Sequence, residues 1–206
     1  NIIFYIFKKR QVKVITNTKY INPSKEQLNT LLDHYKNKQY NTAESLAISL
    51  TKQFPLHHFA WKVLGALQKH TGRPEEALTS MLKSLEICPK DAEIHNNLGV
   101  TLKELCRFDE ALEIFNEAIV LSPNYAEAYN NLGATFHELG RLEKAEASYA
   151  KAIELNSNYT EAYYNMGKTL KSLERFEDAI HSYTQAIELN PNFAEAHRQL
   201  TKFKKF

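Results

Sequence analysis

The chain has 206 residues, of which 43% are hydrophobic and 24% are charged, a composition typical of globular proteins. No apolar run approaches the roughly eighteen residues that a membrane-spanning helix needs, and two cysteines cannot form the dense disulfide framework of a small secreted domain. Composition therefore argues against disordered, membrane-spanning and disulfide-rich proteins.

The formal net charge of +2 is unevenly distributed along the chain. Residues 1–25 contain six basic residues and no acidic one, which leaves 20 basic and 24 acidic residues in 26–206. Nonspecific affinity for nucleic acid comes largely from Lys and Arg contacts with phosphates. We therefore expect no nucleic-acid partner.

The first segment, residues 1–23, has six apolar residues at 2–7 followed by three basic residues at 8–10. Six apolar residues cannot span a bilayer, and basic residues placed after them reverse the order of a secretory signal. We interpret the segment as an irregular or loosely docked extension of a cytoplasmic protein. The alternative is the cut end of a longer hydrophobic segment, because basic residues commonly flank the cytoplasmic end of a membrane helix.

The rest of the chain repeats with a period of 34 residues. The residues that recur at this spacing are Gly65, Gly99, Gly133 and Gly167, the alanines 43, 77, 111, 145 and 179, and the prolines 55, 89, 123 and 191. Such a period indicates a solenoid of supersecondary units. It predicts repeats at 24–57, 58–91, 92–125, 126–159 and 160–193, with a terminal helix or the start of a truncated repeat at 194–206.

Each unit reads as two antiparallel helices, which predicts an all-α fold. In 126–139, Tyr129, Leu132 and Phe136 lie on one helical face, and 142–155 shows the same periodicity. Pro74 suits the first position of a second helix. Three pairs have the spacing of a capping box at the start of first helices: Asn124 with Glu127, Asn158 with Glu161, and Asn192 with Glu195.

The small residues predict how the helices meet. Glycine or alanine on the facing stripes lets a neighbouring helix approach closely, and bulky residues such as Phe115, Tyr149 and Tyr183 fill the adjoining space.

The pattern Tyr129, Leu132, Gly133, Phe136, Ala145, Tyr149 and Ala152, closed by proline, resembles the tetratricopeptide repeat (TPR) over residues 58–205. The resemblance implies a right-handed α-solenoid of antiparallel helix pairs, the TPR superhelix. Residues 24–57 depart from the pattern, since Leu31 replaces the expected glycine and Ala47 an aromatic residue, and we interpret them as a divergent first repeat. Cys106 and Glu174 replace the turn glycines at 72 and 140.

In this family the first helix of each pair lines a concave groove, and the resemblance places three columns of residues there. One column is Asn97, Asn131 and Asn165, beside Asn96 and Asn130; a second is Glu93, Glu127, Glu161 and Glu195; a third is Lys69, Lys103, His137 and Lys171. Stacked carboxamides can hold the backbone of an extended peptide. The alternative is that the asparagines belong to the consensus sequence of the family and bind no ligand. We interpret the glutamates as residues that cap the first helices and complement their dipoles.

Catalytic and metal-binding motifs do not emerge from the sequence. The eight histidines form no HExxH pair, and the cysteines and aspartates form no cluster with metal-ligand spacing. We interpret Cys88 and Cys106 as unrelated structural thiols. The sequence therefore predicts no catalytic residue, no metal and no cofactor.

The leading hypothesis is a non-enzymatic scaffold that binds a protein or peptide segment in the TPR groove. The alternative is the substrate-recruiting part of a larger transferase, because the repeats also look like those of protein O-linked N-acetylglucosamine transferases and of bacterial repeat proteins fused to glycosyl- or sulfotransferases. In that case the chain is a fragment. A third possibility is self-association through Phe203 and Phe206 of the terminal helix.

Overall fold

The structure, a computed structural model, describes residues 22–203. Most of the predicted N-terminal extension, and Phe206, lie outside the described residues. The helices of the described range are α1 (Lys25–Lys36), α2 (Tyr40–Gln53), α3 (His58–His70), α4 (Pro74–Ile87), α5 (Ala92–Glu104), α6 (Phe108–Leu121), α7 (Ala126–Glu138), α8 (Leu142–Leu155), α9 (Thr160–Ser172), α10 (Phe176–Leu189) and α11 (Ala194–Phe203). No strand occurs within residues 22–203, and the predicted all-α class is confirmed.

The helices alternate between first helices, which have odd numbers, and second helices, which have even numbers. Pro74 is the first residue of α4, as predicted, and acidic residues occupy the first turns of α4, α6 and α10. Acidic side chains are favourable there because the amino end of a helix carries partial positive charge. No helix within residues 22–203 combines the length and apolar character needed to cross a membrane.

The turn between first and second helix is the same in every pair. One residue per turn has positive φ, and these residues recur every 34 positions: Lys38, Gly72, Cys106, Gly140 and Glu174. Cys106 and Glu174 adopt the conformation of the glycines that they replace. Lys38 adopts it too, which gives 24–57 the same turn as the later repeats.

The predicted capping boxes at Asn124 and Asn158 are wrong. Helices α7 and α9 begin one residue later than a box would require, with Tyr125 and Tyr159 as caps that make no side-chain capping bond. In the turn before α9, the side chain that bonds to the backbone belongs to Asn156, whose Oδ1 accepts the N–H of Asn158 at 3.1 Å. Such local bonds from short polar side chains stabilise turns. A capping box is present at α1, between Ser24 and Gln27.

The described residues divide into two compact units, with the boundary between residues 110 and 111, inside α6. In the first unit, each helix from α1 to α5 packs on the next, and α3 also touches α5. The core of its first three helices includes Leu31, Ala47, Leu50 and Leu67, all fully buried.

In the second unit, each helix from α7 to α11 packs on the next, and α7 also touches α9. Tyr149 and Tyr183 of the second helices are buried against the glycines of the first helices, as the sequence predicts. Leu200 and Phe203 of α11 pack against the buried cluster formed by Leu170, Ala179 and Tyr183. The terminal helix therefore covers one side of the last helix pair.

Candidate functional site

The predicted asparagine column lies at one position of three first helices. Asn97, Asn131 and Asn165 are half-buried on α5, α7 and α9. Their neighbours Asn96 and Asn130 are buried. A half-buried carboxamide keeps part of its surface open to a ligand while its backbone is held in the helix.

A second column, which the sequence analysis missed, holds the first in place. Thr101, Thr135 and Thr169 are fully buried. Their hydroxyls donate to the backbone carbonyls of Asn97, Asn131 and Asn165, at 3.0, 2.8 and 3.1 Å. The bond from a threonine to the carbonyl four residues earlier satisfies the hydroxyl inside the helix. The 34-residue spacing of these threonines was the signal for them in the sequence.

Asn130 belongs to the internal packing of the second unit. Its Oδ1 accepts a hydrogen bond from Asn165 Nδ2 of the next repeat at 3.2 Å. A second hydrogen bond joins Asn130 to the side chain of Tyr159. Burial, together with the nearby charges of Glu127 and Glu161, raises the pKa of Tyr159 to about 12. The bond with Asn130 uses one of the two N–H groups of Asn165. Asn130 thus links two repeats, and Asn165 both links repeats and retains hydrogen-bonding capacity.

The third predicted column links first helices within the second unit. His137 Nδ1 of α7 lies 3.0 Å from Thr169 Oγ1 of α9. Lys171 Nζ of α9 donates to Gln199 Oε1 of α11 at 3.4 Å and stands 5.8 Å from the centre of the Phe203 ring. In the first unit, Lys103 is half-buried near the end of α5.

The side chain of His137 is half-buried. The Thr169 hydroxyl has one proton and donates it to Asn165. With that proton given to Asn165, the bond between His137 and Thr169 requires the tautomer that carries hydrogen on Nδ1. Burial, followed by the charge of Lys168, lowers the pKa of His137, and Glu138 opposes this shift.

The glutamate column is exposed at the amino ends of the first helices. Glu93, Glu127, Glu161 and Glu195 lie in the first turns of α5, α7, α9 and α11. At this position a negative charge interacts favourably with the positive end of the helix dipole, as the sequence analysis expects. In the first unit, Glu93 Oε2 also forms an ion pair with Lys62 Nζ, at 2.8 Å.

Comparison with known proteins places these repeats in a family. Tetratricopeptide repeat models match residues 58–121, 92–158 and 160–193, which together cover more than half of the chain. The chain belongs to the tetratricopeptide repeat family. The TPR fold predicted from the sequence is therefore confirmed, whereas the similarity to O-linked N-acetylglucosamine transferase repeats stays a prediction. No curated protein sequence matches the chain.

Solved TPR structures share the fold. The chain is 23% identical to MamA, with a TM-score of 0.68, over 79% of this chain and 95% of that one. It is 21% identical to YrrB, a TPR protein with an unusual peptide-binding site, with a TM-score of 0.67, over 87% of this chain and 92% of that one. It is 21% identical to TTC0263, a thermophilic TPR protein of Thermus thermophilus, with a TM-score of 0.74, over 88% of this chain and 98% of that one.

Proposed function

We propose that the chain is a non-enzymatic protein-interaction scaffold, and that the first helices of its second unit bind an extended peptide or partner segment. The observation that carries the proposal is the pair Asn131 and Asn165, half-buried carboxamides 34 residues apart on the contacting helices α7 and α9. A carboxamide both donates and accepts hydrogen bonds. Two of them in register can hold the backbone of a peptide without requiring particular side chains.

Hydrogen bonds position part of this surface before a ligand binds, which favours binding. The Thr135 and Thr169 hydroxyls hold the carbonyls of both asparagines, and the bond from Asn165 to Asn130 fixes one repeat against the next. A surface whose side chains are already positioned loses less conformational entropy when a ligand binds.

The charges on either side of the pair give the surface a polarity. Exposed Glu127, Glu161 and Glu195 lie at the amino ends of the first helices, and Lys171 lies at the carboxyl end of α9. Complementary charge steers association and fixes orientation more than it adds affinity. We therefore expect ligands with Lys or Arg at the end that lies over the glutamates.

Two relatives of the same fold support a binding role. YrrB is a TPR protein with an unusual peptide-binding site, and the APC/C hetero-tetramer Cut9–Hcn1 also contains a chain of this fold. The alternative, that the scaffold recruits substrates for a transferase in a larger protein, uses the same surface.

The test uses peptides selected on the full chain from a phage-displayed library of random sequences. Their affinity is then compared between the native chain, the variant Asn131→Ala/Asn165→Ala, and the control Asn116→Ala. Asn116 is an exposed asparagine of α6 that lies outside the column. We expect the double variant to weaken binding by about tenfold or more, and the control to bind as the native chain does.

Circular dichroism and thermal melting of each variant show whether the helices persist. Equal affinity of the double variant and the native chain would exclude this surface. A library that yields no peptide above background would also contradict the proposal.

A further inference from the structure

Three side chains that commonly bind metals meet in the first unit, although the sequence analysis predicted no metal site. His58 is the first residue of α3, Cys88 directly follows α4, and Asp91 directly precedes α5. One ligand atom from each lies within 4.8 Å of the other two. We propose that His58, Cys88 and Asp91 bind Zn²⁺ or a transition-metal ion of similar chemistry. The inference is independent of peptide binding.

Hydrogen bonds hold the backbone at His58 and Cys88 without a metal. The Ser84 hydroxyl of α4 donates to the carbonyl of His58 at 2.9 Å, which ties the start of α3 to the end of α4. The N–H of Cys88 donates to the carbonyl of the same Ser84 at 2.9 Å. These two bonds keep the start of α3 next to the end of α4, where the ligand atoms meet.

One carboxylate oxygen of Asp91 accepts hydrogen bonds from the helix backbone, and these bonds also orient the second oxygen. Its Oδ1 caps α5 by accepting the N–H groups of Glu93 and Ile94, at 2.9 and 3.3 Å. Hydrogen bonds to a ligating carboxylate orient it and are a regular feature of metal sites. The capping bonds thus support the carboxylate, and Oδ2, which faces Lys62 Nζ at 3.5 Å, is the atom that would bind an ion.

The donor set selects the kind of metal. One imidazole nitrogen, one thiolate and one carboxylate oxygen make three protein ligands, and tetrahedral zinc sites with three protein ligands keep the fourth position for water or another ligand. Ligand atoms on one tetrahedral Zn²⁺ lie about 3.2–3.8 Å apart, so atoms that now lie within 4.8 Å of one another must approach by up to about 1.0–1.6 Å. A thiolate favours Zn²⁺ strongly over Mg²⁺ and Ca²⁺, which prefer oxygen.

His58 provides a second observation at this site. Its Nδ1 is buried and has no hydrogen-bond partner among the described residues. A buried polar atom without a partner is uncommon in folded proteins, and an ion is one of the things that can satisfy it. This unsatisfied nitrogen belongs to a side chain of the same three-residue group.

Lys62 is the cation that a metal would have to displace. Its Nζ lies 3.5 Å from Asp91 Oδ2 but only 2.8 Å from Glu93 Oε2. Lys62 can thus keep its shorter ion pair when a metal takes the Asp91 oxygen. The thiolate and the Asp91 carboxylate then balance the two positive charges of the ion.

The experiment titrates Zn²⁺, and separately Mg²⁺, into the full chain by calorimetry. The chain has two cysteines, Cys88 and Cys106, so Cys88→Ser and Cys106→Ser form a matched pair. We expect one Zn²⁺ per chain and no Mg²⁺ binding. Cys106→Ser should bind as the native chain does, whereas Cys88→Ser should lose at least about tenfold in affinity. Asp91→Asn keeps a good capping residue and should also weaken Zn²⁺ binding.

A second measurement decides the proposal even if Cys88→Ser fails to fold. In Cys106→Ser, Cys88 is the single thiol, so Zn²⁺ should slow its alkylation by iodoacetamide. Co²⁺ should give a thiolate-to-metal charge-transfer absorption in the same variant. Unprotected Cys88, the absence of that absorption, or equal Zn²⁺ affinity of the two serine variants would overturn the assignment, because the ion would then sit elsewhere.

Discussion

Gly133 of α7 leaves room for the ring of Tyr149 of α8, and a Cβ added at Gly133 would stand 2.9 Å from Tyr149 Cε1. The same contact recurs at Gly167 with Tyr183 Cε1, at 2.8 Å, and at Gly65 with Met81 Cγ, at 2.8 Å. The recurring glycine is therefore a packing residue, set by the bulky side chain on the second helix of its own repeat.

We predict that Gly133→Ala lowers the free energy of unfolding, although alanine is the better helix former by about 1 kcal/mol. The added methyl group must displace a buried ring, and such overpacking costs about 1–3 kcal/mol. Urea unfolding monitored by circular dichroism measures the difference.

The control for this prediction removes the ring. In a Tyr149→Leu background the same Gly133→Ala change should be neutral or stabilising, because only the gain in helix propensity remains. Equal destabilisation in both backgrounds would show that the contact between these two residues does not decide the need for glycine.

Glu174 occupies a turn with φ of +60°, a conformation that L-residues adopt at a cost of about 1–2 kcal/mol. We predict that Glu174→Gly stabilises the protein by about 1 kcal/mol, less the entropy that glycine adds to the unfolded chain. Chemical denaturation of the two proteins gives the difference.

Gly140 provides the mirror experiment, since it has φ of +69° and nothing within 4 Å of an added Cβ. Gly140→Ala should destabilise by about 1 kcal/mol through backbone strain alone. If Glu174→Gly destabilises and Gly140→Ala does not, the turns are not under the strain that their φ angles imply.

The 34-residue period predicted the helix pairs because small and large residues on facing stripes are a property of the sequence alone. The same period identifies the two positions at which the divergent repeat, residues 24–57, departs from the pattern. Leu31 and Ala47 reverse the usual order of sizes, so that a large residue on the first helix accompanies a small one on the second. Both lie fully buried in one core cluster. The larger residue at position 31 and the smaller one at position 47 thus compensate for each other in the same core.

The candidate sites were less predictable, because they depend on which residue begins a helix and on side-chain rotamers. The capping boxes failed by a single residue at the helix starts. The bond between His137 and Thr169, 32 residues apart, and the meeting of His58 with Cys88 follow from how helix ends and side chains converge in space. Spacing along the chain does not contain that information.

Tyr183 has a buried hydroxyl that makes no hydrogen bond within the described residues. Burial, and then the neighbouring Tyr164, raise the pKa of this hydroxyl, so it stays protonated. A buried polar group without a partner costs about 1–3 kcal/mol. We predict that Tyr183→Phe is neutral or stabilises by about 1 kcal/mol, since the ring keeps its contacts with Tyr164 and Phe203. Thermal and urea unfolding measure the effect.

Tyr159→Phe is the matched comparison, because this hydroxyl is hydrogen-bonded to Asn130. Its removal should destabilise by about 1 kcal/mol. A Tyr183→Phe variant that loses as much stability as Tyr159→Phe would mean that the Tyr183 hydroxyl has a partner after all.

His137 makes the stability of the second unit depend on pH. Its pKa is lowered in the folded chain by burial and by Lys168, so the unfolded chain binds the extra proton more readily. Its contribution is complete above the unfolded pKa of about 6.5 and is lost as the pH falls below that value towards the lower folded pKa. We predict that His137→Gln, which does not titrate, loses less stability than the native chain between about pH 8 and pH 5. The measurement is the urea midpoint of both proteins across this range.

The pKa of His57 is also lowered, by burial and by His58, but this residue is present in both proteins and its effect cancels. Parallel pH profiles would show that His137 titrates alike in the folded and unfolded chain.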